Sequence, residues 1–247
     1  MSLRIVGIIP ARYASSRFPG KALADLHGKP MIQHVVERAS RARLLQEVLV
    51  ATDDPRILKT VQGFGGKACM TSPVHPSGTD RIAEVARDLA CDLIVNIQGD
   101  EPLIDPGVID RAVEPLVADD RVALGTLGRP MGLKEAADPS KVKVVVDRQG
   151  FALYFSRAPI PYLRDGAPPE TDRPYLLHMG LYVYRRDTLL RLASLPPTPL
   201  EEQERLEQLR ALEHGIRIRV VVTEHESFGV DTPADLERVK QIMTDRS

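Results

Sequence analysis

Three cations, Arg12, Arg17 and Lys21, lie within ten residues of one another in the segment Ile9-Pro10-Ala11-Arg12-Tyr13-Ala14-Ser15-Ser16-Arg17-Phe18-Pro19-Gly20-Lys21. Small and hydroxyl residues separate them. Small residues let backbone N–H groups approach phosphate oxygens, arginine offers forked donors, and lysine offers a point charge. Three fixed cations suit a ligand as highly charged as a nucleoside triphosphate. A solvated basic loop is the bland alternative. The segment, however, directly follows a strand-like run, and ligands of open parallel sheets sit beyond the carboxyl ends of strands. The whole chain carries a formal net charge of -1, so any anion site is local and no global field draws the protein to nucleic acid or anionic lipid.

Carboxylates stand at two further turning points. Val95-Asn96-Ile97-Gln98-Gly99-Asp100-Glu101-Pro102 ends a strand-like run, and Phe228-Gly229-Val230-Asp231-Thr232-Pro233-Ala234-Asp235 precedes a helix pattern. Mg²⁺ takes a few oxygen ligands from protein and the rest from phosphate and water, which suits Asp100 at a strand end. Asp231 has two readings, a helix cap or a second ligand to the same metal. His75-Pro76-Ser77-Gly78-Thr79 enters a helix, where Ser77 or Thr79 can cap. In the functional reading, His75, Ser77 and Gly78 lie against a nucleotide base. In the second half, Arg157, His178, Tyr182, Glu207 and Gln208 are the types that bind a polyhydroxylated acid, arginine for the carboxylate and the rest for hydroxyls. His178 and Tyr182 fall on one side of an extended segment. Glu207 and Gln208 sit in a charged helix pattern, where a solvated face is the default.

Other chemistries are excluded. No G-x-G-x-x-G follows a strand, and Gly63-Phe64-Gly65-Gly66-Lys67-Ala68 lacks the spacing and the Ser/Thr of a P-loop. Cys69 and Cys91 have no ligand-like spacing and read as reduced structural thiols. The N-terminal apolar run is too short for a signal peptide, and no stretch is long enough for a membrane helix. A cytoplasmic protein is expected.

The elements that must position these residues follow from periodicity. Strand patterns at 3–9, 48–51, 67–70 and 93–97 alternate with helix patterns at 31–44, 55–63, 79–90 and 106–117, which predicts a parallel sheet with helices on both faces. Strands are expected at 122–127, 142–146, 152–155, 181–184 and 216–222, with a turn at 147–150 making a hairpin. A surface loop is expected over 159–174 and helices over 200–214 and from 232 onward, the last with Thr232 as N-cap and Asp235 completing a capping box. The expected organisation is one domain: 1–120 an α/β part that carries the cationic loop, 121–225 a second lobe, and 226–247 a helix returning to the core.

The sequence closely resembles the 3-deoxy-manno-octulosonate (Kdo) cytidylyltransferases, from Ile8 to about Val239. The motifs above carry the resemblance, with Ala51-Thr52-Asp53, Lys143-Val144-Val145 and Leu206-Glu207-Gln208-Leu209-Arg210. The Gly-Gly-x-Gly-Thr-Arg loop of hexose-1-phosphate enzymes is absent. CMP-sialate synthetases share Pro-Ala-Arg but not Gln-Gly-Asp-Glu-Pro.

The resemblance implies a Rossmann-like, open, mostly parallel sheet of the nucleotide-diphospho-sugar transferase type. A smaller hairpin-containing lobe would serve dimerisation and sugar binding. Arg12, Ser16, Arg17 and Lys21 would hold the CTP phosphates. Pro10, Ala11, His75, Ser77, Gly78 and Gln98 would surround the cytidine. Asp100 and Asp231 would bind Mg²⁺, with Lys21 and Arg17 sharing in catalysis, and Arg157, His178, Tyr182, Glu207 and Gln208 would bind Kdo. It further implies a homodimer and a role in lipopolysaccharide biosynthesis, without nucleic acid or membrane as partner. An 8-amino analogue of Kdo as acceptor, or a non-catalytic sensor on the same fold, are the alternatives.

Overall fold

The computed structural model describes residues 3–15, 17–166 and 173–245, and the chain divides into two compact units, 1–110 with 227–247 and 111–226. Ser16 and part of the 159–174 loop lie outside the described residues.

In the first unit, the N-terminal run forms β1 (Ile5–Ala11), with Ile5, Val6, Ile8 and Ile9 buried. A two-residue hairpin, β2 (Asp25–Leu26) and β3 (Lys29–Pro30), precedes α1 (Met31–Ala39). Then follow β4 (Glu47–Thr52), α2 (Pro55–Gly63), β5 (Lys67–Met70), α3 (Gly78–Asp88) and β6 (Leu93–Asn96). β1 pairs in parallel with both β4 and β6, and β4 with β5, so the order is β6-β1-β4-β5. The parallel sheet predicted from the alternating pattern is present. Helix α1 stops five residues before the expected 44. The N–H groups of Arg43 and Leu44 donate instead to the Asp110 carboxylate, at 3.2 and 2.9 Å. Helix α4 (Pro106–Ala118) carries the chain onward, with Gly107 N–H donating to Asp105 at its start, as expected of an N-cap.

The second unit contains β7 (Leu124–Met131), α5 (Leu133–Ala136), β8 (Lys143–Val146), β9 (Ala152–Ser156) and β10 (Tyr175–Arg185). It continues with α6 (Arg186–Ser194), α7 (Pro199–Glu204), α8 (Gln208–Glu213) and β11 (Ile218–Val222). β10 runs antiparallel to β7 and to β8, β8 forms a hairpin with β9, and β11 lies parallel to β7. The hairpin turn is closed by Asp147, whose Oδ1 accepts from Gln149 and Phe151 N–H, both at 2.8 Å. The single helix expected over 200–214 is broken into α7 and α8 at Arg205, which adopts a left-handed φ of 54°.

The last helix, α9 (Pro233–Asp245), belongs to the first unit. Its Leu236 and Val239 pack with Val230 against Leu26, Met31 and Leu103. At roughly 2 kcal/mol for each buried aliphatic side chain, this cluster outweighs any exposed ion pair, worth at most about 1 kcal/mol. Apolar packing therefore fixes where α9 sits on the first unit.

Candidate active site

The loop after β1 folds around the Tyr13 carbonyl, which accepts from Ser15 N–H at 3.0 Å and Gly20 N–H at 2.8 Å. Gly20 has φ 71°, and a Cβ there would lie 3.1 Å from the Tyr13 ring, so the turn needs glycine on both counts. The Arg56 guanidinium covers the Tyr13 ring at 3.3 Å from its centroid. Beyond Gly20 a single 3₁₀ turn, Lys21–Leu23, begins with the lysine.

Lys21 Nζ donates to Asp100 Oδ2 at 2.6 Å, to Asp231 Oδ1 at 3.3 Å and to the Val230 carbonyl at 3.2 Å. Val230 N–H in turn donates to the Asp100 carbonyl at 2.8 Å. The two acidic loops are thus tied by backbone as well as by the lysine. Arg17 joins from the exposed side, 3.0 Å from Asp231 Oδ1. Four residues placed at the triphosphate and metal by sequence reasoning, Arg17, Lys21, Asp100 and Asp231, converge on one point.

The helix-cap role falls to the residues after Asp231. Thr232 Oγ1 accepts from Asp235 N–H at 3.2 Å, and Asp235 Oδ2 accepts from Thr232 N–H at 2.8 Å, the expected capping box. Asp235 also accepts from Asp231 N–H at 3.1 Å. With α9 capped in this way, the Asp231 carboxylate turns to Lys21 and Arg17. Asp100 and Asp231 offer oxygen donors to one cation position, held by an ammonium, and that donor set fits Mg²⁺. No cluster of three or more His, Cys, Asp or Glu occurs among the described residues, so the remaining ligands of such an ion would come from phosphate and water. Burial, opposed by a hydrogen bond with Ser227 and reinforced by Asp100, pushes the Glu101 carboxyl up to about 7. This limits the negative charge beside Asp100.

Gly99 lets the end of β6 approach the end of β1, since a Cβ there would lie 2.9 Å from the Pro10 carbonyl. That contact brings Pro10 and Ala11 beside the segment that carries Gln98 and Asp100. Gly78 faces the Pro10 ring, and a Cβ at that position would lie 3.3 Å from the ring. Arg12 donates to the His75 carbonyl at 2.7 Å, tying the cationic loop to the 75–78 loop. The His75 imidazole is paired with Glu84, and Ser77 caps α3 through Asp80 N–H at 3.1 Å. The capping role foreseen for Ser77 is therefore realised. Sequence reasoning missed the support beneath this loop. Arg81 is wholly buried and bonds Asp53 at 2.6 Å as well as Thr71. A charged residue on the buried face of α3 was the available signal.

In the second unit, His178 and Tyr182 share a side as expected, with ring centroids 5.3 Å apart. Phe155 meets His178 edge-on at 4.9 Å, and Thr126 Oγ1 lies 3.1 Å from its Nε2. Burial among these groups pushes the imidazole down to about 3, so it is neutral at physiological pH. Burial, with Tyr184 and Glu207 adding to it, pushes the Tyr182 phenol well above its usual value and keeps it a proton donor. Gln208 is buried, and its Nε2 has no hydrogen-bond partner among the described residues. Arg157 is more committed than its sequence reading implied: Nε donates to the Glu204 carbonyl at 2.8 Å, Nη1 to Pro139 at 3.1 Å and Nη2 to Arg205 at 3.4 Å. A guanidinium has five N–H donors, so two remain for a ligand.

Comparison with known proteins agrees with this architecture. Residues 6–218 match the Cytidylyltransferase family, a class of nucleotidyltransferase. The 3-deoxy-manno-octulosonate cytidylyltransferase of Geobacter sulfurreducens is 58% identical over 245 residues, covering 96% of this chain and 98% of its own. That of Solibacter usitatus is 56% identical over 243 residues, covering 98% and 95%. A solved CMP:2-keto-3-deoxy-manno-octonic acid synthetase complexed with CTP superposes with a TM-score of 0.94 at 48% identity, covering 99% of this chain and 100% of that one. The 4-diphosphocytidyl-2C-methyl-D-erythritol synthase of Anaerococcus prevotii, at 12% identity and a TM-score of 0.65, shares the fold. The chain belongs to the 3-deoxy-manno-octulosonate cytidylyltransferase family, as the sequence motifs implied, and it is an enzyme of the nucleotidyltransferase class.

Proposed function

We propose that this enzyme transfers CMP from CTP to Kdo, releasing pyrophosphate, by Mg²⁺-assisted in-line attack of the anomeric hydroxyl. The observation that carries the reading is the convergence of Lys21 and Arg17 on Asp100 and Asp231. The Kdo hydroxyl gives up its proton to solvent as its oxygen bonds to the α-phosphorus, the bond from phosphorus to the bridging oxygen breaks, and pyrophosphate takes the electron pair. Asp100 and Asp231 would hold Mg²⁺, which supplies acidification of the attacking hydroxyl and polarisation of the phosphate. Lys21 and Arg17 balance the charge that grows on the leaving pyrophosphate. The segment from Pro10 to Arg12, with His75, Ser77, Gly78 and Gln98, holds the nucleotide. Arg157 meets the sugar carboxylate with its two remaining N–H groups, and His178, Tyr182, Glu207 and Gln208 meet hydroxyls. The amide nitrogen of Gln208, without a partner among the described residues, supports that assignment.

The proposal extends to a cytoplasmic location, a role in lipopolysaccharide biosynthesis and a homodimer. No helix among the described residues is long and apolar enough to cross a membrane. The exposed Leu153 and Tyr162 of the second unit are apolar surface that a second copy would cover. Incubation with CTP, Mg²⁺ and Kdo tests the activity. Pyrophosphate release that a chelator stops and added Mg²⁺ restores is expected. Binding without release would make the protein a sensor instead.

A further inference from the structure

Lys143 is wholly buried at the start of β8, an environment that ordinarily excludes an ammonium. Its three donors all go to backbone carbonyls: Asp138 at 3.1 Å, Lys141 at 2.6 Å and Arg157. The ammonium is thereby satisfied without a carboxylate in contact. These carbonyls come from two separate segments, the 138–141 turn and the residue after β9. The same turn presents the Pro139 carbonyl to Arg157 Nη1, and the next residue, Val142, accepts from His178 N–H at 2.8 Å. The other side of Arg157 is fixed by Glu204, whose carboxylate accepts from Arg157 N–H at 2.9 Å and Ser156 Oγ at 2.6 Å. Apolar residues could fill this register, but they could not gather three carbonyls.

We infer that Lys143 is a positioning residue for acid-sugar recognition, its ammonium locking the Arg157 backbone to the 138–141 turn that steadies the Arg157 guanidinium. The inference rests on the reading of Arg157 as the ligand of the sugar carboxylate. Lys143 itself need not touch substrate. It sets the direction of the two free guanidinium N–H groups, and a small rotation of a forked donor is enough to lose a bidentate pair.

The test is steady-state kinetics on Lys143→Met, Arg157→Ala and the double variant, with thermal unfolding alongside. Lys143→Met is expected to raise the KM for Kdo by about tenfold or more, while the KM for CTP and kcat move by less than about twofold. In the Arg157→Ala background, Lys143→Met is expected to add less than about twofold, because both changes act through one group. Should Lys143→Met fail to fold, Lys143→Gln is read the same way. A Kdo KM unchanged by the Lys143 variant while Arg157→Ala raises it overturns the inference alone. Effects of the two changes that multiply in full, or both KM values and kcat moving together with the melting temperature, also overturn it. If Arg157→Ala leaves the Kdo KM unchanged, the reading of Arg157 fails and takes the inference with it.

Discussion

Lys21 Nζ lies 2.6 Å from Asp100 Oδ2, although 79 positions separate the two residues. The pair joins the loop after β1 to the loop after β6, which are neighbouring strands of the first unit. The lysine is mostly buried, with 18% of its side chain exposed, so this ion pair is better shielded than that of Arg17, at 65%. It holds the two carboxylates, Asp100 and Asp231, at one point without any bound ligand.

Replacing Asp100 with alanine should therefore damage turnover far more than nucleotide binding. We expect kcat to fall by about a hundredfold or more, the scale for losing a preorganised electrostatic group. Calorimetric CTP binding should largely survive, since Arg12 and Arg17 remain. An Asp100→Ala enzyme with pyrophosphate release within a few-fold of wild type would remove this carboxylate from the mechanism.

Asp231 and Thr232 are adjacent yet do different jobs, and the difference can be measured. Thr232→Ala should cost about 1 kcal/mol of stability through loss of the α9 cap. Asp231→Asn should leave thermal unfolding near that of wild type but cut turnover by at least about a hundredfold. Equal stability losses in the two variants would return Asp231 to a capping role.

Gly99 cannot accept a side chain without moving backbone, because the obstructing atom is the Pro10 carbonyl oxygen at 2.9 Å. Gly99→Ala should destabilise by about 1–3 kcal/mol, as overpacking does. It should also lower turnover, since Pro10 and Asp100 would part. An alanine variant with unchanged melting temperature and activity would contradict the close approach.

Much of the first unit was legible in the sequence. Alternating apolar runs predicted its strands and helices, and glycine, proline and charge at the strand ends marked loops whose side chains the fold brings together. What escaped was set by contacts far apart in sequence. Helix α1 ends early because Asp110, more than sixty positions on, takes the Arg43 and Leu44 N–H groups. The 200–214 helix breaks because its carbonyls at Glu204 and Arg205 serve the Arg157 guanidinium. Local periodicity carries no trace of such partners. The same is true of Lys143, whose burial depends on three carbonyls that no local pattern announces. The expected site roles of His75 and Ser77 were harder to read for another reason: each side chain has a partner within nine residues, Glu84 and Asp80, that local capping patterns also explain.

His178 gives a prediction in pH. Its folded pKa is lowered from the usual 6.5 to about 3 by burial, so below the usual value the unfolded chain binds a proton that the folded one refuses. Stability from this group is complete above about pH 6.5 and drains away as pH falls toward 3, by an amount on the order of a few kcal/mol. The His178 ring resonances should not titrate between about pH 5 and 8, and His178→Gln should flatten the acid limb of the unfolding curve. A midpoint near 6.5 for this ring would show that it is open to water.

The second carboxylate of the site is supplied by the final stretch of the chain, beyond the whole of the second unit. A nascent polypeptide still emerging from the ribosome has Lys21 and Asp100 long before it has Asp231, and so does any product of proteolysis within the last forty residues that removes Asp231. If Asp100 and Asp231 hold the ion as proposed, a chain that lacks Asp231 keeps Lys21 and Asp100 but only half of the carboxylate pair, and it would bind CTP without transferring CMP.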